Sequence, residues 1–129
     1  MSSSDIDRKI AVIFATDLVG YSKHMEKDEN ATLRGLRECN KIIEPLIKKQ
    51  KGRIFNTGGD SVFAEFPSAV AAVDTAVEFQ KQIKARNDKD TTEVKLEYRI
   101  GINMGDVVKE GNNLLGDGVN IAARLEALA

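Results

Sequence analysis

Apolar positions along this chain change their period several times, and each change marks an element. Residues 9–15 form a short, nearly continuous apolar run rich in Ile and Val, which predicts a buried strand. Residues 17–22 read as loop. From 30 to 50 the period becomes helical, with Leu33, Leu36, Ile43, Leu46 and Ile47 recurring between charges. Pro45 removes one backbone donor there and is expected to bend the helix, and Gly52 is a natural stop. Residues 53–56 and 61–66 predict two strands joined by Thr57-Gly58-Gly59-Asp60. Both glycines are expected to supply the positive φ of a tight hairpin. Ser68, after Pro67, is a candidate cap for a helix striped by Val70, Val73, Ala76, Val77, Gln80 and Ile83.

The second half is more broken. Residues 87–92 form a polar, charged loop. Residues 94–103 alternate as a strand, with Leu96, Tyr98, Ile100 and Ile102 on one face. Gly105 predicts a turn, residues 106–109 a return strand, and residues 110–113 another loop. From 119 to the end, Ile121, Ala122, Leu125 and Leu128 are spaced for burial on a last helix. The order is β, α, β, β, α, β, β, α. A βαββαβ core predicts an α+β, ferredoxin-like fold: an antiparallel sheet with helices on one face. The first strand is expected beside the strand that follows the first helix.

Composition narrows the class. The 129 residues suit one domain with a single core, expected over 9–129 after a disordered, serine-bearing lead-in at 1–8. Hydrophobic residues at 42% and charged residues at 30% place it among water-soluble globular chains. A net charge of −1 leaves no basic footprint for nucleic acid. No stretch is long and apolar enough for a membrane segment, and the start lacks an apolar signal core. Cys39 is the lone cysteine, so no intrachain disulfide forms and a reducing, cytoplasmic location is expected. Its helical spacing predicts a buried, inert thiol. His24 is expected on the surface at the start of a helix.

Two aspartates carry the candidate chemistry. Asp17 follows the first apolar run, and Asp60 sits on the glycine-rich turn. If their strands are neighbours, two hard carboxylates meet at one end of the sheet. That donor set suits magnesium held against phosphates, and Gly58 and Gly59 let backbone come close to phosphate. Aspartate after a strand is also a common turn residue, and Gly-Gly-Asp a common hairpin.

Four ordered motifs add a resemblance. They are residues 14–22, with Thr16-Asp17-Leu18-Val19-Gly20; Gly58-Gly59-Asp60; Arg99-Ile100-Gly101-Ile102-Asn103-Met104-Gly105; and residues 116–126, with Asn120 and Arg124. Together they resemble the catalytic domain of the bacterial class III nucleotidyl cyclases, over nearly the whole chain from Arg8. The resemblance implies conversion of a nucleoside triphosphate to a 3′,5′-cyclic monophosphate and pyrophosphate. It implies that Asp17, Asp60 and the Leu18 carbonyl hold magnesium or manganese, two per site. Gly20, Gly58 and Gly59 would lie beside phosphate. Asn120 would orient the ribose and Arg124 would stabilise charge on the phosphoryl group. The site would form in a head-to-tail homodimer, with the aspartates from one chain and Asn120 and Arg124 from the other.

The chain departs from the family's pattern in three places. The adenylate pattern has lysine at the position of Asn56 and aspartate at that of Asn113. Asparagine both donates and accepts, so this pair is compatible with several bases, and ATP is favoured as the family's commonest substrate. Asp106 stands where some members carry a phosphate-binding arginine. The chain ends at Ala129, whereas the family's last strands and a triphosphate-binding lysine come later, so a C-terminally truncated domain is expected. One alternative is a non-catalytic regulatory or dimerisation module. Another is a diguanylate cyclase of the GGDEF type, to which Gly58-Gly59-Asp60 is similar, but Ser61 replaces its glutamate and the 119–126 motif has no counterpart there.

Overall fold

The computed structural model describes residues 7–89 and 94–129. Five strands form one sheet: β1 (Asp7–Leu18), β2 (Arg53–Gly58), β3 (Ser61–Phe66), β4 (Tyr98–Glu110) and β5 (Asn113–Leu115). Their order is β2-β3-β1-β4-β5, and every pairing is antiparallel. Four helices accompany them: α1 (Tyr21–Lys27), α2 (Glu29–Lys49), α3 (Ala69–Lys89) and α4 (Asp117–Leu128). The expected α+β fold is therefore present. The neighbour of β1 is β3 rather than β2, because β2 and β3 form a hairpin whose second strand takes the inner place.

β1 is the central strand, and its side chains alternate between two cores. Val12 and Phe14 join Leu36, Cys39 and Ile43 of α2 and Phe79 and Ile83 of α3. Ala11, Ile13 and Ala15 join Val107, Leu114 and Ala122 on the opposite face. Burial on both faces is why this strand reads as an unbroken apolar run. The two helices of the βαββαβ core thus share one face as expected, while α4, which follows that core, covers the other. Cys39 lies buried on α2, and burial pushes its thiol above the ordinary range, as expected of an inert cysteine.

Several sequence expectations need correction. β1 starts at Asp7 and runs to Leu18, so Asp17 and Leu18 belong to the strand and not to a loop. Asp7 and Arg8 of the expected lead-in lie in that strand, and residues 1–6 fall outside the described residues. Beyond the helix start expected at His24, α1 has no signal in the sequence, because it buries no residue and so leaves no apolar stripe. In the β2–β3 hairpin only Gly59 has positive φ (57°), while Gly58 does not. Residues 87–89 of the expected loop belong to α3, and 90–92 lie outside the described residues.

The largest correction concerns Gly105. Instead of a turn between two strands, β4 runs straight through it, with Gly105 opposite Ala11 and Asp106 opposite Ile10. Residues 94–97 precede the strand without joining it. The glycines of this segment accommodate a helix. A side chain at Gly101 would overlap the α4 backbone at Ala122 and Glu126. Gly118 of α4 is equally close to the Asp106 carbonyl. The buried stripe of α4 is accordingly Gly118, Ala122 and Glu126. Of its expected apolar stripe only Ala122 is buried, and Leu128 is 84% exposed. Ser68 caps α3 as predicted, its Oγ accepting from Ala71 N–H at 3.1 Å.

Far from the Asp17 end, the sheet curls. Arg53 of β2 donates to the Asn112 carbonyl in the β4–β5 turn at 2.7 Å, so the two outer strands approach each other over the α4 face. Replacing Gly101 by alanine would force α4 off the sheet. We expect Gly101→Ala to lose about 1–3 kcal/mol in urea denaturation. Gly111→Ala, which adds a methyl in open space at a positive φ of 61°, should cost about 1–2 kcal/mol from backbone strain alone and leave α4 in place.

Candidate active site

The β1–β4 register sets the site. Asp17 lies opposite Arg99 and Leu18 opposite Tyr98, at the end of the sheet that the β2–β3 hairpin also reaches. Asp60, in the hairpin turn, accepts a hydrogen bond from Leu18 N–H on Oδ2 at 2.9 Å. The two aspartates are thus tied through one backbone amide, although the sequence separates them widely. Gly59, in the left-handed region, makes the tight turn that presents Asp60, with Tyr21 beside it. Gly20, also left-handed (φ 68°), ends the β1 segment and starts α1.

Asp17 is not free. Arg99 Nη2 contacts both its oxygens, at 3.1 and 3.4 Å, and Nε donates to Oδ1 at 3.2 Å. Arg99 also donates from Nη1 to the Ala127 carbonyl at 3.3 Å, and its Nε lies 3.3 Å from Glu126 Oε2. The buried Glu126 carboxyl stands beside Asp17. Burial first, then the closeness of the Asp17 carboxyl, pushes its pKa up to about 7, against the opposing pull of Arg99. Neither Arg99 nor Glu126 receives a role from the sequence. Only the strand register could have found them, and the apolar pattern does not fix which residue of β4 faces Asp17.

The other predicted residues stand apart from this end. Asn120 and Arg124 are exposed on α4, four apart as expected on one side of the helix. By helical spacing that side is opposite the buried stripe of Gly118, Ala122 and Glu126. Neither side chain is hydrogen-bonded or ion-paired among the described residues. Asn56 is exposed and pairs with Phe63, which puts it on the α4 face of the sheet beyond a bulge at residue 55. Asn113 opens β5, and its Oδ1 accepts from Leu114 N–H at 2.9 Å. The curl of the sheet brings β2 and β5, the strands that carry these two asparagines, near each other. His24 is partly buried on α1, so it is less open than expected. Its carbonyl accepts from Asp28 N–H and Thr32 Oγ1.

The donor set fits a hard divalent cation. Asp17, Asp60 and backbone carbonyls offer only oxygen, the ligand type of magnesium and manganese. Among the described residues no three His, Cys, Asp or Glu side chains are grouped to hold a metal unaided. Magnesium commonly takes one or two carboxylates and completes its shell with water and phosphate, so two aspartates are enough. The cavities between α2 and α3 and between α3 and β4 reach neither Asp17 nor Arg124, whereas a third, between α2 and the β2–β3 hairpin, is lined by Gly58 and Gly59 but by neither aspartate. Among the described residues no helix is long and apolar enough to cross a membrane.

Comparison with known proteins shows the family. A family model described as the adenylate and guanylate cyclase catalytic domain matches residues 3–129. A protein of Rhizobium meliloti (strain 1021), provisionally named adenylate cyclase 3, is 43% identical over 130 residues, which is all of this chain and 22% of that protein. An adenylate cyclase of Streptomyces coelicolor is 30% identical over 125 residues, 96% of this chain and 31% of that protein. The chain therefore spans less than a third of the length of either relative. Among solved structures, an adenylate/guanylate cyclase/hydrolase from Silicibacter pomeroyi superposes with a TM-score of 0.86 at 38% identity, covering 96% of this chain and 73% of that one. On the family match, the identity and the shared fold together, the chain belongs to the adenylate and guanylate cyclase catalytic domain family.

Proposed function

We propose that this domain, over residues 9–129, converts ATP to 3′,5′-cyclic AMP and pyrophosphate at a site shared by two copies of the chain. The observation that carries this reading is the separation of the two residue sets. Asp17 and Asp60 are joined at one sheet end through Leu18, while Asn120 and Arg124 face solvent on the far side of α4. Neither set makes a complete site alone. A second chain, placed head to tail, brings each set to its complement and gives a twofold pair of identical sites.

In such a site the 3′ oxygen attacks the α-phosphorus and the bond to the pyrophosphate oxygen breaks. The 3′ hydroxyl proton is released, and pyrophosphate leaves with the bonding electrons. Two magnesium or manganese ions, when bound, would favour the ionised 3′ oxygen and offset phosphate charge. Asp17, Asp60 and the Leu18 carbonyl would hold them, with Gly20, Gly58 and Gly59 leaving room for phosphate. Asn120 of the second chain holds the ribose so that the attack is in line. Arg124 of that chain stabilises the charge that builds on the phosphoryl oxygens. The preference for ATP rests on two relatives named as adenylate cyclases. Asn56 is the freer amide for reading the base, because Asn113 already spends its oxygen on Leu114.

Mixing complementary variants tests the shared site. Asp17→Ala and Arg124→Ala should each lose at least about a hundredfold in kcat with Mn²⁺ and ATP. Mixed in equal amounts and allowed to exchange, they should recover about a quarter of the native rate, because half the dimers then carry one intact site. A mixture no better than its components would reject the shared site. No cyclic product with ATP, GTP, CTP or UTP from a longer chain that extends past Ala129 would favour the regulatory alternative. For the base, Asn56→Lys should raise the ATP-over-GTP ratio of kcat/KM by about tenfold, since lysine donates to adenine N1 but meets a donor on guanine. An unchanged ratio would remove Asn56 from base reading.

A further inference from the structure

Arg99 has one Nε–H and two acceptors competing for it. Asp17 Oδ1 takes it at 3.2 Å. Glu126 Oε2 waits 3.3 Å from the same nitrogen, yet it is buried and accepts no hydrogen bond of good geometry. One N–H serves one acceptor well, so the buried oxygen is left short. The remaining nitrogens extend the link, with Nη2 on Asp17 and Nη1 on the Ala127 carbonyl. The guanidinium thus joins a candidate metal ligand to the last turn of α4, the helix that carries Asn120 and Arg124.

We propose that Arg99 is a positioning residue that passes its Nε–H from Asp17 to Glu126 when Asp17 takes up a divalent cation. It thereby couples cation uptake in one half-site to the setting of α4. This rests on the metal role given to Asp17 above. When the Asp17 oxygens turn to a cation, they are lost as acceptors, and like charge repels the guanidinium. Arginine cannot shed its proton to escape that repulsion, so it turns to the acceptor still unfilled. Glu126 Oε2 is already within reach, so the exchange needs a reorientation and no travel. Glu126 is held against Gly101 by its own backbone, so a firmer bond from Arg99 tightens the end of α4 on the sheet. In a head-to-tail pair, α4 of this chain serves the opposite site. Cation uptake at one site then orders the helix that completes the other.

The test uses Mn²⁺ without nucleotide. Calorimetry reads its affinity, and amide exchange reads protection of α4 with and without the ion. In the native chain, Mn²⁺ should slow exchange in the last turns of α4. Arg99→Gln removes the competing cation, so Mn²⁺ should bind about tenfold tighter while its effect on α4 disappears and kcat falls. Arg99→Lys keeps the charge but not the fork, so Mn²⁺ affinity should stay near native and the α4 response should still be lost. An arginine that only pairs with Asp17 would also tighten Mn²⁺ binding on removal, but it would loosen α4 equally with and without the ion, so the ion-dependent protection of α4 is the deciding readout. Unchanged or weaker Mn²⁺ binding in Arg99→Gln overturns the proposal, as does native-like Mn²⁺ protection of α4 in either variant. Asp17→Ala separates the two failures. If it leaves Mn²⁺ binding intact, the metal assignment falls and the coupling falls with it. If it abolishes binding while Arg99→Gln changes nothing, the coupling alone is wrong.

Discussion

β1 and β4 pair without a break from Asp7 opposite Lys109 to Leu18 opposite Tyr98, and the site inherits its geometry from that register. Side chains alternate with a period of two, so a slip of one residue would send every β4 side chain to the other face. Arg99 would then no longer lie across from Asp17, and Gly101 would no longer lie under α4. The pairing also keeps β1 at the centre of the sheet, where helices cover both of its faces and require the apolar run that marks it in the sequence. Chemistry and stability thus depend on one ladder. The polar end of that ladder is where a backbone amide, two aspartates and an arginine converge.

The second constraint is the close approach of α4. Helix and strand meet through Gly101, Gly118 and Ala122, with no room for larger side chains. This contact fixes which side of α4 is inward and therefore which side is offered to solvent. Asn120 and Arg124 lie on the outward side by helical spacing alone, not through any bond that holds them. The same contact delivers Glu126 to the neighbourhood of Asp17. A helix seated on small residues is also one that a charged group at its end can adjust. That is the physical setting in which Arg99 matters.

Much of this was legible in the sequence, for identifiable reasons. Long periodic segments declared α2 and α3, and the double-sided burial of β1 declared a strand. Asp17 and Asp60 stand out by their place at strand ends as well as by the motifs around them, and the structure joins them through Leu18; Asn120 and Arg124 stand out through motifs alone, and the structure leaves them apart on α4. The failures share a cause. Gly105 reads as a turn because glycine usually marks one, yet here β4 runs straight through it, paired with Ala11 of β1. Tertiary contact overrode local propensity at that point. Beyond the helix start expected at His24, α1 was invisible because a helix without a buried face has no period to detect. Arg99 and Glu126 were invisible because their roles come from which residue sits opposite or above another. A linear pattern does not carry that information.

The proposal that one chain holds only half a site is tested most directly by dilution. Specific cyclase activity with Mn²⁺ and ATP should be measured across a wide range of protein concentration, with sedimentation velocity under the same conditions. If the site is shared, specific activity will fall on dilution in proportion to the dimer fraction, and the monomer will contribute none. A monomer turning over at the full rate per chain would contradict the shared site. It would require Asp17 and Arg124 of one chain to act together across the breadth of α4.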